Sequence, residues 1–224
     1  MKSRNSRRFR TGEAMADFAA GLFKKALLRK TGKFTAALSG GRTPARFFKK
    51  LAALDLPWNR VIFFMADERR APLSSPESNY GAARAQLFSK IKIPRANLRP
   101  LKPGCSAAAY SREFLKETGG SGRLDFILLG LGEDGHTASL FPGSRALKTN
   151  KNIFCPVLAP DTYTTRRRVT LSLKAINASS NIVLLASGPR KKKIFEKALL
   201  RDKNIPAGFI KPRGEIHFLF SGKE

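Results

Sequence analysis

Four short, mostly apolar runs constrain this chain more than any other feature, because a glycine-rich or charged segment follows each at once. They span residues 34–38, 61–66, 124–129 and 181–186. A strand that is apolar at nearly every position is buried on both faces, which happens when helices cover both sides of a parallel sheet. Helical spacing of apolar residues follows at 45–54, 79–87, 107–117 and 192–201 and precedes the first run at 13–29. Shorter strand candidates lie at 169–173 and 216–220. The alternation predicts an α/β fold: a doubly wound, mostly parallel sheet with helices on both faces. No repeat or long linker divides residues 13–224, so they read as one domain behind a basic, flexible arm at 1–12.

Composition narrows the classes. Lys and Arg number 43 against 16 Asp and Glu, giving a formal charge of +27, yet 42% of the 224 residues are hydrophobic and 17 are Phe. Disordered chains of such charge lack these residues, so a buried core is expected. The charge favours polyanions through counterion release. It is, however, spread along the chain, with local clusters only at 1–10, Arg166-Arg167-Arg168 and Arg190-Lys191-Lys192-Lys193. Without a zinc-finger or RNA-recognition signature, weak non-specific polyanion binding is expected and specific nucleic-acid binding is not. Cys105 and Cys155 are too few for a disulfide framework or a zinc site. The apolar runs fall far short of the ~20 residues of a membrane-spanning helix, and no apolar stretch follows the basic start as in a secretory signal. The expected compartment is the cytoplasm.

Ligands of open α/β sheets bind at the carboxyl ends of the strands, where these loops must lie. Ser39-Gly40-Gly41-Arg42-Thr43-Pro44 joins the first run to a helix. Its glycines and the helix start suit a phosphate, although an ordinary tight turn has the same composition. It matches neither the dinucleotide nor the nucleotide-triphosphate fingerprint, so neither cofactor is expected. The third run leads into GLGEDGHTASLFPG at 130–143, which holds one of only two histidines. An imidazole at His136 can move a proton near neutral pH, with Asp134 to orient it; alternatively His136, Thr137 and Ser139 form a helix cap. Asp67-Glu68-Arg69-Arg70 supplies both signs of charge, either for chemistry and sugar hydroxyls or as a solvated loop. Arg168 and Lys191 flank strands and can reach the same edge as phosphate ligands. His217, in the terminal apolar run, reads as a strand residue.

Together, SGGRTP at 39–44, DER at 67–69, ESNY at 77–80, GLGEDGHTASLFPG at 130–143, RVTLSLKAIN at 168–177 and GPRK at 188–191 resemble the 6-phosphogluconolactonase family. Glucosamine-6-phosphate deaminases of the same superfamily share the SGG turn. The resemblance implies a Rossmann-like sheet and hydrolysis of a sugar-phosphate lactone, 6-phospho-D-glucono-1,5-lactone, without metal or organic cofactor. It implies His136 as the acid/base with Asp134 and Asp67 nearby, and Ser39, Gly40, Gly41, Arg168 and Lys191 around the phosphate. Thr43 and Arg69 belong to the same motifs and are candidates for that site. Arg42 departs from the small residue usual there, and either touches the phosphate or points to solvent. The rivals are a deaminase or isomerase of amino-sugar phosphates and a non-catalytic RNA-binding protein on the same fold.

Overall fold

A computed structural model describes residues 4–149 and 152–223. The chain runs through β1 (Arg4–Phe9), α1 (Gly12–Arg29), β2 (Phe34–Leu38), α2 (Arg42–Ala52), β3 (Val61–Met65) and β4 (Asp67–Arg69). It continues with α3 (Asn79–Gln86), β5 (Leu98–Arg99), α4 (Ala107–Glu117), β6 (Phe126–Gly130), β7 (Phe154–Leu158) and β8 (Arg167–Leu171). The last elements are α5 (Leu173–Ala178), β9 (Asn181–Ser187), α6 (Lys192–Leu199) and β10 (Glu215–Ser221). Seven strands form one sheet in the order β1-β10-β9-β6-β2-β3-β5, and every pairing in it is parallel. A smaller antiparallel sheet, β4-β8-β7, stands beside it.

The apolar runs are buried because the large sheet is covered twice. Phe34, Ala36 and Leu38 of β2 face a core shared with Phe23 of α1 and Phe47 of α2. Ala37 turns to the other core, with Tyr110 and Phe114 of α4 and Phe195 of α6. On the first face the Phe23 ring meets five others, those of Phe34, Phe47, Trp58, Phe63 and Phe126, at centroid distances of 5.0–6.3 Å. Packed aromatic edges and faces of this kind fix the angle at which α1 crosses the sheet.

One expectation is corrected here. Residues 4–9, read as part of a flexible arm, form the edge strand β1 in parallel register with β10, Arg4 opposite Ile216 and Phe9 opposite Ser221. Residues 1–3 lie outside the described residues. A parallel edge strand takes its hydrogen bonds from one neighbour and needs no apolar alternation, so an arginine-rich segment can serve. Arg7 lies over the Phe18 ring at 4.5 Å, and Arg8 reaches Glu196 at 3.0 Å. Such an edge repels a second strand of its own kind.

Strand order also fixes where a ligand fits. Connections after β2 run outward to β3 on one side, whereas β6 on the other side continues to β9 and β10. The carboxyl ends of β2 and β6 therefore flank the topological switch point, the usual crevice of such sheets.

Candidate active site

At that crevice a cleft of about 800 Å³ opens above β2, β3, β6 and β9. Ser39, Gly40, Gly41, Arg42, Thr43, Asp67, Arg69, His136, Arg168 and Lys191 all line it, so the loops predicted from sequence converge on one space. Asp134 stands just behind, bonded to His136. Hydrogen bonds between neighbouring loops hold the convergence: Ser39 N–H donates to Leu128 O at 3.0 Å and Leu131 N–H to Leu185 O at 3.2 Å.

The His136 loop is a tight turn closed on itself. Gly132 N–H donates to His136 O at 2.8 Å, and Gly135, at φ +82°, takes a conformation that strains any residue with a Cβ. Asp134 Oδ1 accepts the His136 backbone N–H at 3.0 Å and lies 2.5 Å from its Nδ1. With Nδ1 held by the carboxylate, Nε2 is the nitrogen available to a ligand. Burial raises the Asp134 carboxyl, but the hydrogen bonds and charge of His136 more than reverse this and hold it below the usual carboxylate range. The pair rests on Gly132, where a Cβ would stand 2.1 Å from Nδ1 and 2.7 Å from Asp134 Oδ1. The imidazole also lies 4.8 Å from the Phe141 ring.

Across the cleft the surroundings turn cationic. Helices α1, α3, α4 and α5 each begin with a Thr or Ser side-chain cap, whereas α2 and α6 have none. Of these two, α2 begins beside the cleft after Gly41 (φ +111°), and an uncapped helix start favours an anion, whereas α6 runs on from a 3-10 turn at Pro189–Lys191 that bonds the first N–H groups. Thr43 Oγ1 and Ser187 Oγ, 2.7 Å apart, tie the start of α2 to the end of β9. Gly40 packs against Asn79, whose Oδ1 would lie 2.0 Å from an added Cβ. Arg69 and Arg168 are directly opposite in the β4–β8 ladder, a like-charge pairing that costs stability without an anion between them. Burial and then the charge of Arg69 lower the Arg168 pKa. Two buried polar atoms lining this side, Ser39 Oγ and Arg69 Nε, have no hydrogen-bond partner. Arg42 is exposed at the rim.

The acidic pair on β4 divides in two. Asp67, 4% exposed, accepts the Ser139 hydroxyl at 2.6 Å on Oδ2 and the Asn79 amide at 3.3 Å on Oδ1, and it faces the cleft. Glu68, which the sequence also offered for chemistry, is spent on structure. Its carboxylate accepts the backbone N–H of Asn79 and of Tyr80 at 2.8 and 2.7 Å, and the Ser78 hydroxyl at 3.2 Å, anchoring the start of α3. Burial pushes Glu68 up, against the lowering effect of those backbone bonds.

Three contributors were missed as site residues. Asn79 and Ser139 stood within recognised motifs and hold Asp67; Tyr163, between β7 and β8, had no sequence signal and lies over the Arg168 guanidinium at 4.6 Å.

The chain is similar to known proteins over nearly its whole length. The profile of a family described as glucosamine-6-phosphate isomerases/6-phosphogluconolactonase matches residues 10–218. A 6-phosphogluconolactonase of Thermotoga maritima is 36% identical over 203 residues, covering 88% of each chain. One from Synechocystis is 34% identical over 204 residues, covering 86% of this chain and 83% of its own. A crystal structure of 6-phosphogluconolactonase from Thermotoga maritima superposes with a TM-score of 0.84 at 30% identity, covering 99% of this chain and all of that one. This chain belongs to the glucosamine-6-phosphate isomerase/6-phosphogluconolactonase family.

Proposed function

We propose that this protein hydrolyses 6-phospho-D-glucono-1,5-lactone to 6-phosphogluconate, the second step of the oxidative pentose phosphate pathway, with His136 as general acid and base. The observation that carries the reading is a carboxylate-braced imidazole lining the same cleft as a glycine turn, an uncapped helix start and the cations Arg69, Arg168 and Lys191. The relatives, which are 6-phosphogluconolactonases, supply the substrate.

A lactone is an activated ester, so water must add to its carbonyl carbon and the ring C–O bond must break. His136 Nε2 takes the proton as water adds, and Asp134 stabilises the imidazolium. The tetrahedral oxyanion is stabilised by backbone N–H groups of the glycine loops. As the ring bond breaks, His136 returns the proton to the departing ring oxygen, leaving a hydroxyl and a carboxylic acid that ionises. General acid/base catalysis of this kind contributes ~10²–10⁴-fold. Ser39, Gly40, Gly41, Thr43, Arg69, Arg168 and Lys191 hold the phosphate, with Arg42 at the rim. Binding energy from that remote group orients the carbonyl toward the imidazole. Asp67, fixed by Ser139 and Asn79, faces the sugar hydroxyls.

Residues 13–224 act as one catalytic domain without organic cofactor or metal, and β1 completes its sheet. Among the described residues no helix is long and apolar enough to cross a membrane. We place the reaction in the cytoplasm, consistent with two free cysteines, and attach no specific nucleic-acid partner to the charge. The test is acid release from freshly generated 6-phosphogluconolactone, corrected for spontaneous hydrolysis, beside ammonia release from glucosamine 6-phosphate. Lactone turnover without ammonia supports the reading. Ammonia release, or RNA affinity with no turnover, overturns it.

A further inference from the structure

Tyr163 stands on the hairpin between β7 and β8 and belongs to none of the motifs that marked the site. Its neighbour Arg168 is 5% exposed, with little room for water around its charge. The Tyr163 ring lies 4.6 Å from the guanidinium carbon and the Phe141 ring 5.6 Å, and the two ring centroids are 5.4 Å apart. Arg168 Nε is committed to Thr165 O at 3.1 Å. Phe141 also backs His136 at 4.8 Å, and Tyr163 meets the same imidazole edge-on at 6.2 Å. One aromatic corner thus touches both the cation and the imidazole.

We infer that Tyr163 is a positioning residue: its π-face holds the Arg168 guanidinium in the orientation that receives the substrate's phosphate. The need for it follows from the ladder. Arg69 is directly opposite Arg168, and like charges so placed repel, with the carboxylates of Asp67 and Glu77 offsetting part of that repulsion. A cation under an aromatic face is attracted by the ring quadrupole, more strongly when desolvated, and a planar fork held flat loses less freedom on binding phosphate. The phenol hydroxyl has no part in this, so the ring and not the oxygen is what matters. The inference rests on the reading of the cleft as a phosphate-binding lactonase site and adds to it the residue that keeps the site assembled while empty.

The experiment compares Tyr163→Ala, Tyr163→Leu and Tyr163→Phe in the full chain. Each is read by KM and kcat for the lactone and by the Kd for inorganic phosphate from calorimetry. Losing the π-face should raise KM and the phosphate Kd together, about 5- to 30-fold, in both the Ala and the Leu variant. The kcat should stay within about threefold, and Phe should restore both constants to within about threefold. Recovery by Leu would mean that bulk alone suffices and would overturn the inference. Failure of Phe to restore affinity would assign the role to the hydroxyl and overturn it equally. Phosphate affinity is read without turnover, so if even the wild-type protein leaves the lactone intact, the proposed function falls while the calorimetric series still decides on Tyr163.

Discussion

Replacing Gly132 by Ala tests the active-site geometry through a single methyl group. Gly132 is not among the glycines at positive φ, so its backbone accepts a Cβ and the effect is steric. The new carbon would stand 2.1 Å from His136 Nδ1, 2.3 Å from Cε1 and 2.7 Å from Asp134 Oδ1. Ordinary contact begins near 3.4 Å, so the imidazole must retreat by about 1.3 Å, and the carboxylate that orients it must shift as well. A misplacement of ~1 Å at a reacting group costs on the order of 10²-fold in rate. Overpacking of this size typically costs ~1–3 kcal/mol of stability, which a domain of this length can tolerate. The assay is kcat for lactone hydrolysis beside the calorimetric Kd for inorganic phosphate. We expect kcat to fall about 10²-fold and the Kd to hold within about threefold, because the phosphate side is built from other loops. A kcat within threefold of wild type, in a folded variant, would refute the placement of His136 at the reacting carbon.

Other expectations follow from the same geometry. Lys191→Ala should raise KM about 10- to 100-fold with little change in kcat, since a hydrogen bond to a charged group is worth ~1.5–3 kcal/mol; an unchanged KM removes Lys191 from the phosphate site. Glu68→Gln replaces one acceptor oxygen by a donor facing backbone N–H groups of α3, so chemical denaturation should report a loss of ~1–3 kcal/mol. For Asp134 the folded carboxyl lies below its ordinary value of 3.8, so its stabilising contribution is present above that value and is lost as pH falls through the lower folded value. The stability difference between wild type and Asp134→Asn should therefore shrink below about pH 4, and a difference constant from pH 6 to 3 would contradict this.

The sequence announced the two central loops because the chemistry of an α/β sheet collects at strand ends, where glycine, histidine and charge interrupt apolar runs. Phe34–Leu38 and the turn after it were legible for that reason. What escaped was set by pairing across distance. Arg4–Phe9 reads as a solvated arm until β10 supplies its hydrogen bonds. Phe154–Leu158 carries Pro156, which argues against a strand, but β7 is the edge of the small sheet and tolerates it. Ser139 and Asp67 are 72 residues apart, so no local pattern could pair them. Glu68 looked as reactive as Asp67; only the start of α3 above it separates a helix anchor from a residue facing the cleft.

His136→Ala, assayed on 6-phosphogluconolactone with the spontaneous rate subtracted, should lose ~10²–10⁴-fold in kcat while inorganic phosphate binds within about threefold of its wild-type affinity. Turnover close to wild type in that variant would show that another group moves the proton and would contradict the account.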